Sequence, residues 1–116
     1  MRNGRPSSGQ GAGIVPTKIT AVYENPKSPD EFEATHHEQI ALAKKIPGVQ
    51  KIESAKVWPK EDGSATPAYR VLDLYFTDYA AASRAVTTEE ASAFVGKVFE
   101  LATGGVRLLF TDVEEV

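Results

Sequence analysis

Cysteine is absent from the chain. Disulfides, thiolate metal sites and a cysteine nucleophile are therefore excluded. Long apolar runs are missing too: none approaches the roughly eighteen residues that would span a bilayer. Positive charge is neither in excess nor clustered, with 13 Lys and Arg against 16 Asp and Glu. A nucleic-acid reader carries a basic face, and no such face is legible. The N-terminus has Arg2 and Arg5 but no apolar segment behind them, so it does not read as a signal peptide. The expectation is a cytoplasmic protein with no nucleic-acid or membrane partner. Histidine is scarce, occurring only as His36 and His37, and Trp58 is the single tryptophan.

What is present points to one small domain. Residues 1–16 are rich in Gly, Pro and Ser and poor in apolar side chains. Such a stretch cannot offset its ordering entropy, so a flexible arm is expected there. Residues 17–116 carry the regular patterns. Lys18 to Glu24 alternates with period two, Ile19, Ala21 and Tyr23 sharing one face, which predicts a strand. Ser28-Pro29-Asp30-Glu31 is a helix start with a capping residue, a proline at the first turn and a capping-box glutamate. This helix is expected to run to about Ile46, where Pro47-Gly48 stops it. A second strand is expected over 49–58 and a third over 69–76, separated by a loop with an Asp62-Gly63 turn. A short helix over 78–86 follows. Thr87 and Glu90 then form a capping box for a helix to about Ala102, and Gly104-Gly105 caps its end. A last strand is expected over 106–113.

The order β-α-β-β-α-β is the split, ferredoxin-like arrangement of the α+β class. It makes a four-stranded antiparallel sheet with helices on one face. Strand three is apolar on both sides, through Val71 and Tyr75 opposite Leu72, Leu74 and Phe76. Strand four pairs Val106, Leu108 and Phe110 with Leu109 and Val113 on the reverse. An uncovered apolar face marks an interaction surface. A homodimer through the open sheet face is the expectation.

Projecting the first helix at about 100° per residue sets the buried direction through Phe32, Ala43 and Ile46. His36 and Gln39 fall on that side, one turn apart. His37, Glu33, Glu38, Lys44 and Lys45 point to solvent. A polar pair between helix and sheet must be satisfied, since each unpaired group costs roughly 1–3 kcal/mol. Tyr23, water or a ligand could do so. His36 is open to three readings: a partnered core residue, a catalytic proton-transfer group, or a metal or haem ligand. Glu33 and His37 share one exposed face and would hold a metal only weakly, and His37 to Ala41 fails the H-E-x-x-H zinc pattern. No metal or other cofactor is called for. Trp58 could roof a pocket, and Asp73 could pair across the sheet or a dimer interface.

Four segments, in order, carry a family likeness: Tyr23-Glu24-Asn25-Pro26 followed by Phe32, Leu42 to Gly48, Asp73-Leu74-Tyr75-Phe76, and Ala102 to Val106 with Leu108-Leu109. With these the chain resembles the EthD family, named for ethyl tert-butyl ether degradation. The resemblance implies a ferredoxin-like protomer and a dimeric α+β barrel. The leading expectation is a pocket for a small hydrophobic ligand between the first helix and the sheet, lined by Tyr23, Phe32, His36, Gln39 and Trp58. Barrel relatives include cofactor-independent oxygenases and isomerases, so an oxidoreductase or isomerase is one functional reading. A non-catalytic carrier or accessory protein is the other. The family pattern places a histidine eight residues before Pro47, where this chain has Gln39. Either His36 replaces that imidazole from one turn earlier, or the usual activity is lost.

Overall fold

The computed structural model describes residues 15–116. Most of the expected N-terminal arm lies outside the described residues. The elements are β1 (Thr17–Tyr23), α1 (Pro29–Ala43), β2 (Lys51–Lys56), β3 (Arg70–Phe76), α2 (Tyr79–Ala85), α3 (Glu89–Leu101) and β4 (Val106–Asp112). The sheet order is β2-β3-β1-β4, with every neighbouring pair antiparallel. β1 and β2 thus run parallel with β3 inserted between them, as the split arrangement requires. The α+β, ferredoxin-like expectation holds.

Local chemistry sets the helix ends. Ser28 caps α1, its hydroxyl accepting from the Glu31 amide at 3.3 Å. Pro29 fills a position whose missing N–H costs nothing. α1 ends at Ala43, earlier than expected. The chain then tightens, with Lys45 N bonded to Leu42 O and Ile46 N to Ala43 O. Those i→i−3 bonds turn the backbone while still burying Ile46. The cap of α3 is Thr88, not Thr87: Thr88 Oγ1 accepts from the Ala91 amide, whereas Thr87 Oγ1 bonds back to Arg84 O. No capping box forms, because the third helical residue after Thr88 is an alanine.

Gly104 is fixed by space. A Cβ there would lie 1.9 Å from the Asn25 carbonyl oxygen, so the turn after α3 presses directly on the loop after β1. Lys27 N donates to Thr103 Oγ1 beside it at 2.8 Å.

The core lies on the helix face of the sheet. Ile19, Ala21, Tyr23, Leu72, Leu74 and Phe76 meet Phe32, Ala43, Ala82, Ala91, Phe94, Val98 and Leu101. The opposite face departs from the expected apolar patch. Asp73 pairs across the sheet with Thr20 and with Lys18, the latter at 3.7 Å. Tyr75 donates to Glu53 at 2.8 Å, and Lys51 approaches the same carboxylate at 3.4 Å. Val22, Val71, Ala55 and Leu109 are the apolar residues in that register, interrupted by these charges. Edge strand β4 carries three exposed large apolar side chains, Leu109 on this face and Leu108 and Phe110 on the other. Period-two reading placed residues on faces correctly but could not see that charges pair across strands.

Candidate functional site

The helical projection aims His36 and Gln39 at the sheet, and the structure joins them into one relay. Gln39 is wholly buried. Its Oε1 accepts from the hydroxyl of Tyr23, also wholly buried on β1. Its Nε2 donates to His36 Nδ1 at 2.7 Å. The phenol has one proton to give and Gln39 as its acceptor, which fixes the amide orientation. The amide in turn makes Nδ1 an acceptor. His36 is therefore assigned the Nε2–H tautomer. Nε2 then donates to Ser54 Oγ on β2 at 3.1 Å.

The relay continues beyond the expected residues. Arg70 Nη1, at the start of β3, donates to the same Ser54 Oγ at 3.1 Å. Arg70 Nη2 donates to Glu33 Oε1 at 2.7 Å, and the Tyr69 hydroxyl donates to Glu33 Oε2 at 2.7 Å. Glu33 was expected to point to solvent. It is exposed, and its carboxylate also accepts from the guanidinium of Arg70 and the phenol of Tyr69. Phe32 packs the centre: it stacks on His36 at 5.8 Å and meets Tyr23 and Tyr69 edge-on at 4.9 and 5.2 Å.

The electrostatics follow from this packing. Burial lowers the affinity of His36 for a second proton, and Arg70 and His37 add to that, with Glu33 opposing. The imidazole is thus held neutral. Burial raises the Tyr23 hydroxyl well above the usual phenol range, against its bond to Gln39. Tyr69 is pushed up to about 12 by burial and by the Glu33 carboxylate. Burial works to raise Glu33 as well, but the bonds from Tyr69 and Arg70 prevail and hold it below the usual carboxylate value.

Tyr23, Phe32, His36 and Gln39 are brought together. Trp58 is not: it lies beyond the end of β2 and is 87% exposed. A cleft of about 480 Å³ lies elsewhere, between α1 and α3, and shares only Phe32 with the expected lining. Between α1 and the sheet lie the buried side chains of Tyr23, Phe32 and Gln39. The place where the relay meets solvent is its far end, at half-buried His36 and exposed Ser54. Both ring nitrogens of His36 are hydrogen-bonded, Nδ1 to Gln39 and Nε2 to Ser54. Both oxygens of Glu33 are likewise occupied, so the Glu33–His37 pair is not assembled as a ligand set. Sequence reading did not single out Ser54 or Arg70 as site residues. Arg70 leaves one usable signal, a cation in the same alternation phase as Leu72, Leu74 and Phe76.

Fold and site together define a ferredoxin-like α+β protein with a buried Tyr-Gln-His relay. No family model matches the chain. It is 33% identical over 100 residues to an uncharacterized 11.0 kDa protein from the thcB-thcC intergenic region of Rhodococcus erythropolis, covering 85% of this chain and 96% of that one. An EthD family protein from Bacillus halodurans superposes with a TM-score of 0.77 at 22% identity, over 87% of this chain and 99% of that one. SnoaB, a cofactor-independent oxygenase from Streptomyces nogalater, gives a TM-score of 0.61 at 16% identity, over 89% and 96%. The chain belongs to one family with the Rhodococcus protein, and the resemblance to the EthD family is matched at the level of the fold. The structural likenesses establish fold, and chemistry does not travel with fold alone. Among the described residues, no helix is long and apolar enough to cross a membrane.

Proposed function

We propose that the chain binds a small, largely apolar molecule where His36 and Ser54 meet solvent, and that His36 presents its Nε2–H to an oxygen of that molecule. One observation supports this reading: Gln39 joins buried Tyr23 to His36 Nδ1, and His36 Nε2 reaches exposed Ser54. A neutral imidazole can polarise a carbonyl without giving up its proton in the resting state. This suits an isomerase or an oxygenase that works without a bound cofactor, and the cofactor-independent oxygenase of the same fold is in keeping with it. The resting tautomer also favours a second reading. A donor that is not a base can simply orient a ligand, as a carrier or accessory protein would need.

The protein is taken to act in the cytoplasm as a homodimer through the open sheet face, where Leu109 and Val71 would be covered. Native mass spectrometry of the purified protein should detect a co-purified small molecule, and His36→Ala should lose it. A ligand retained undiminished by His36→Ala removes His36 from the site. Light scattering on a size-exclusion column should give twice the chain mass; a stable monomer refutes the dimer.

A further inference from the structure

Two N–H donors converge on one oxygen. His36 Nε2 and Arg70 Nη1 each stand 3.1 Å from Ser54 Oγ. A hydroxyl oxygen has two lone pairs, so both are taken and its own proton faces outward. Ser54 is exposed on β2, whereas the Arg70 side chain behind it is only 11% exposed. Arg70 is held rigidly through Nη2 by Glu33. Its Nε is buried and has no partner among the described residues. Facing the cluster are the cations Arg70 and Lys56 and the carboxylate Glu33, with Asp30 further out beyond Tyr69 and His37 on the outer side of α1.

Two donors, one of them cationic, fill both lone pairs of this hydroxyl and would bind an oxygen of greater negative charge more strongly. Donors preset around one point stabilise an oxygen that carries or develops negative charge, and they do so without reorganising. Building on the ligand site proposed above, we infer that Ser54 is a placeholder: its hydroxyl marks a subsite for a carbonyl or phenol oxygen, which His36 and Arg70 stabilise as enolate or phenolate. Rotation of the small Ser54 side chain frees both donors at once. His36 supplies an uncharged donor and Arg70 a charged one, so Arg70 is the residue that selects for anionic character.

The test uses the full chain with two probes, naphthalene and β-naphthol. Imidazole nitrogen resonances report occupancy at His36, and absorbance reports the ionisation of bound β-naphthol. Both probes should shift the His36 resonances. Bound β-naphthol should ionise about one pH unit lower than in water, a tenfold gain in its acidity. Arg70→Gln should abolish that displacement while naphthalene still binds. Ser54→Ala should preserve or enlarge it, because the placeholder is gone. The inference is overturned if both probes bind and β-naphthol ionises as in water. It is overturned equally if Ser54→Ala abolishes the displacement, since Ser54 would then be the donor. Should Arg70→Gln not fold, Ser54→Ala decides alone. If neither probe moves the His36 resonances, the ligand site itself falls, and this subsite with it.

Discussion

Replacing Tyr23 by phenylalanine should reverse the order of hydrogen bonds beneath α1. In the native chain the phenol proton goes to Gln39 Oε1, leaving the amide NH2 for His36 Nδ1. Without the phenol, Gln39 is free to rotate half a turn within the same volume. Its Oε1 then accepts from Nδ1–H, and the ring proton leaves Nε2. The change removes one buried hydrogen bond, about 1 kcal/mol, and leaves the amide NH2 facing a phenyl ring. The total loss is roughly 1–3 kcal/mol, since an unsatisfied buried donor bears its full desolvation cost. For a domain of this size each kcal/mol lowers Tm by about 4 °C. Urea titration measures the stability, and imidazole nitrogen chemical shifts identify the tautomer.

The pH dependence follows from the burial of His36, with Arg70 and His37 adding to it and Glu33 opposing. His36 in the folded chain takes up its proton below the ordinary value of 6.5. The unfolded chain therefore binds that proton first as pH falls. Stability present above about 6.5 is lost as pH drops from there through the lower folded value. In Tyr23→Phe the Gln39 carbonyl already faces Nδ1, so His36 protonates more easily and this loss is shallower. Persistence of the Nε2–H tautomer with an unchanged His36 titration would falsify the claim that Tyr23 sets the imidazole.

Gly104→Ala should destabilise by roughly 1–3 kcal/mol or more, because the added methyl meets backbone at Asn25 rather than a flexible side chain; a neutral change in urea titration would mean the two loops are not pressed together. Thr88→Ala should cost about 1 kcal/mol through the lost cap of α3. Thr87→Ala should cost less, and the reverse ranking would restore Thr87 as the cap. Glu33→Gln should let the Tyr69 hydroxyl fall from about 12, since the carboxylate helps hold it there. Carbon NMR of the tyrosine ring follows this, and an unmoved titration would place Glu33 away from Tyr69 in solution.

Much of the fold was legible in periodicity. Ile19, Ala21 and Tyr23 declared the inner face of β1, and the 100° projection of α1 turned His36 and Gln39 inward, as observed. That half of the relay lies within reach of two adjoining elements. The other half does not. Ser54 and Arg70 meet His36 only because β2 and β3 pair in one register, Ser54 opposite Leu72 and Lys56 opposite Arg70. Register is a property of two strands, and no single segment encodes it. The partners of exposed Glu33 were hidden for a related reason. A carboxylate on a half-exposed flank of a helix goes where its cation is, and Arg70 lies 37 residues away. Thr87 and Thr88 are adjacent residues of one type, so composition could not choose between them; backbone geometry did.

Ser54 belongs to an edge strand. β2 is bonded on one side only, to β3, and nearly all its residues face solvent. The relay therefore spans two regimes of local stability, with Tyr23 and Gln39 in the last part of the molecule to open and Ser54 in one of the first. Fraying of β2 would uncouple Ser54 from the imidazole while Gln39 still held the ring in place. Amide exchange should accordingly be faster at Ser54 than at Tyr23, and the mouth of the site can breathe without the domain unfolding.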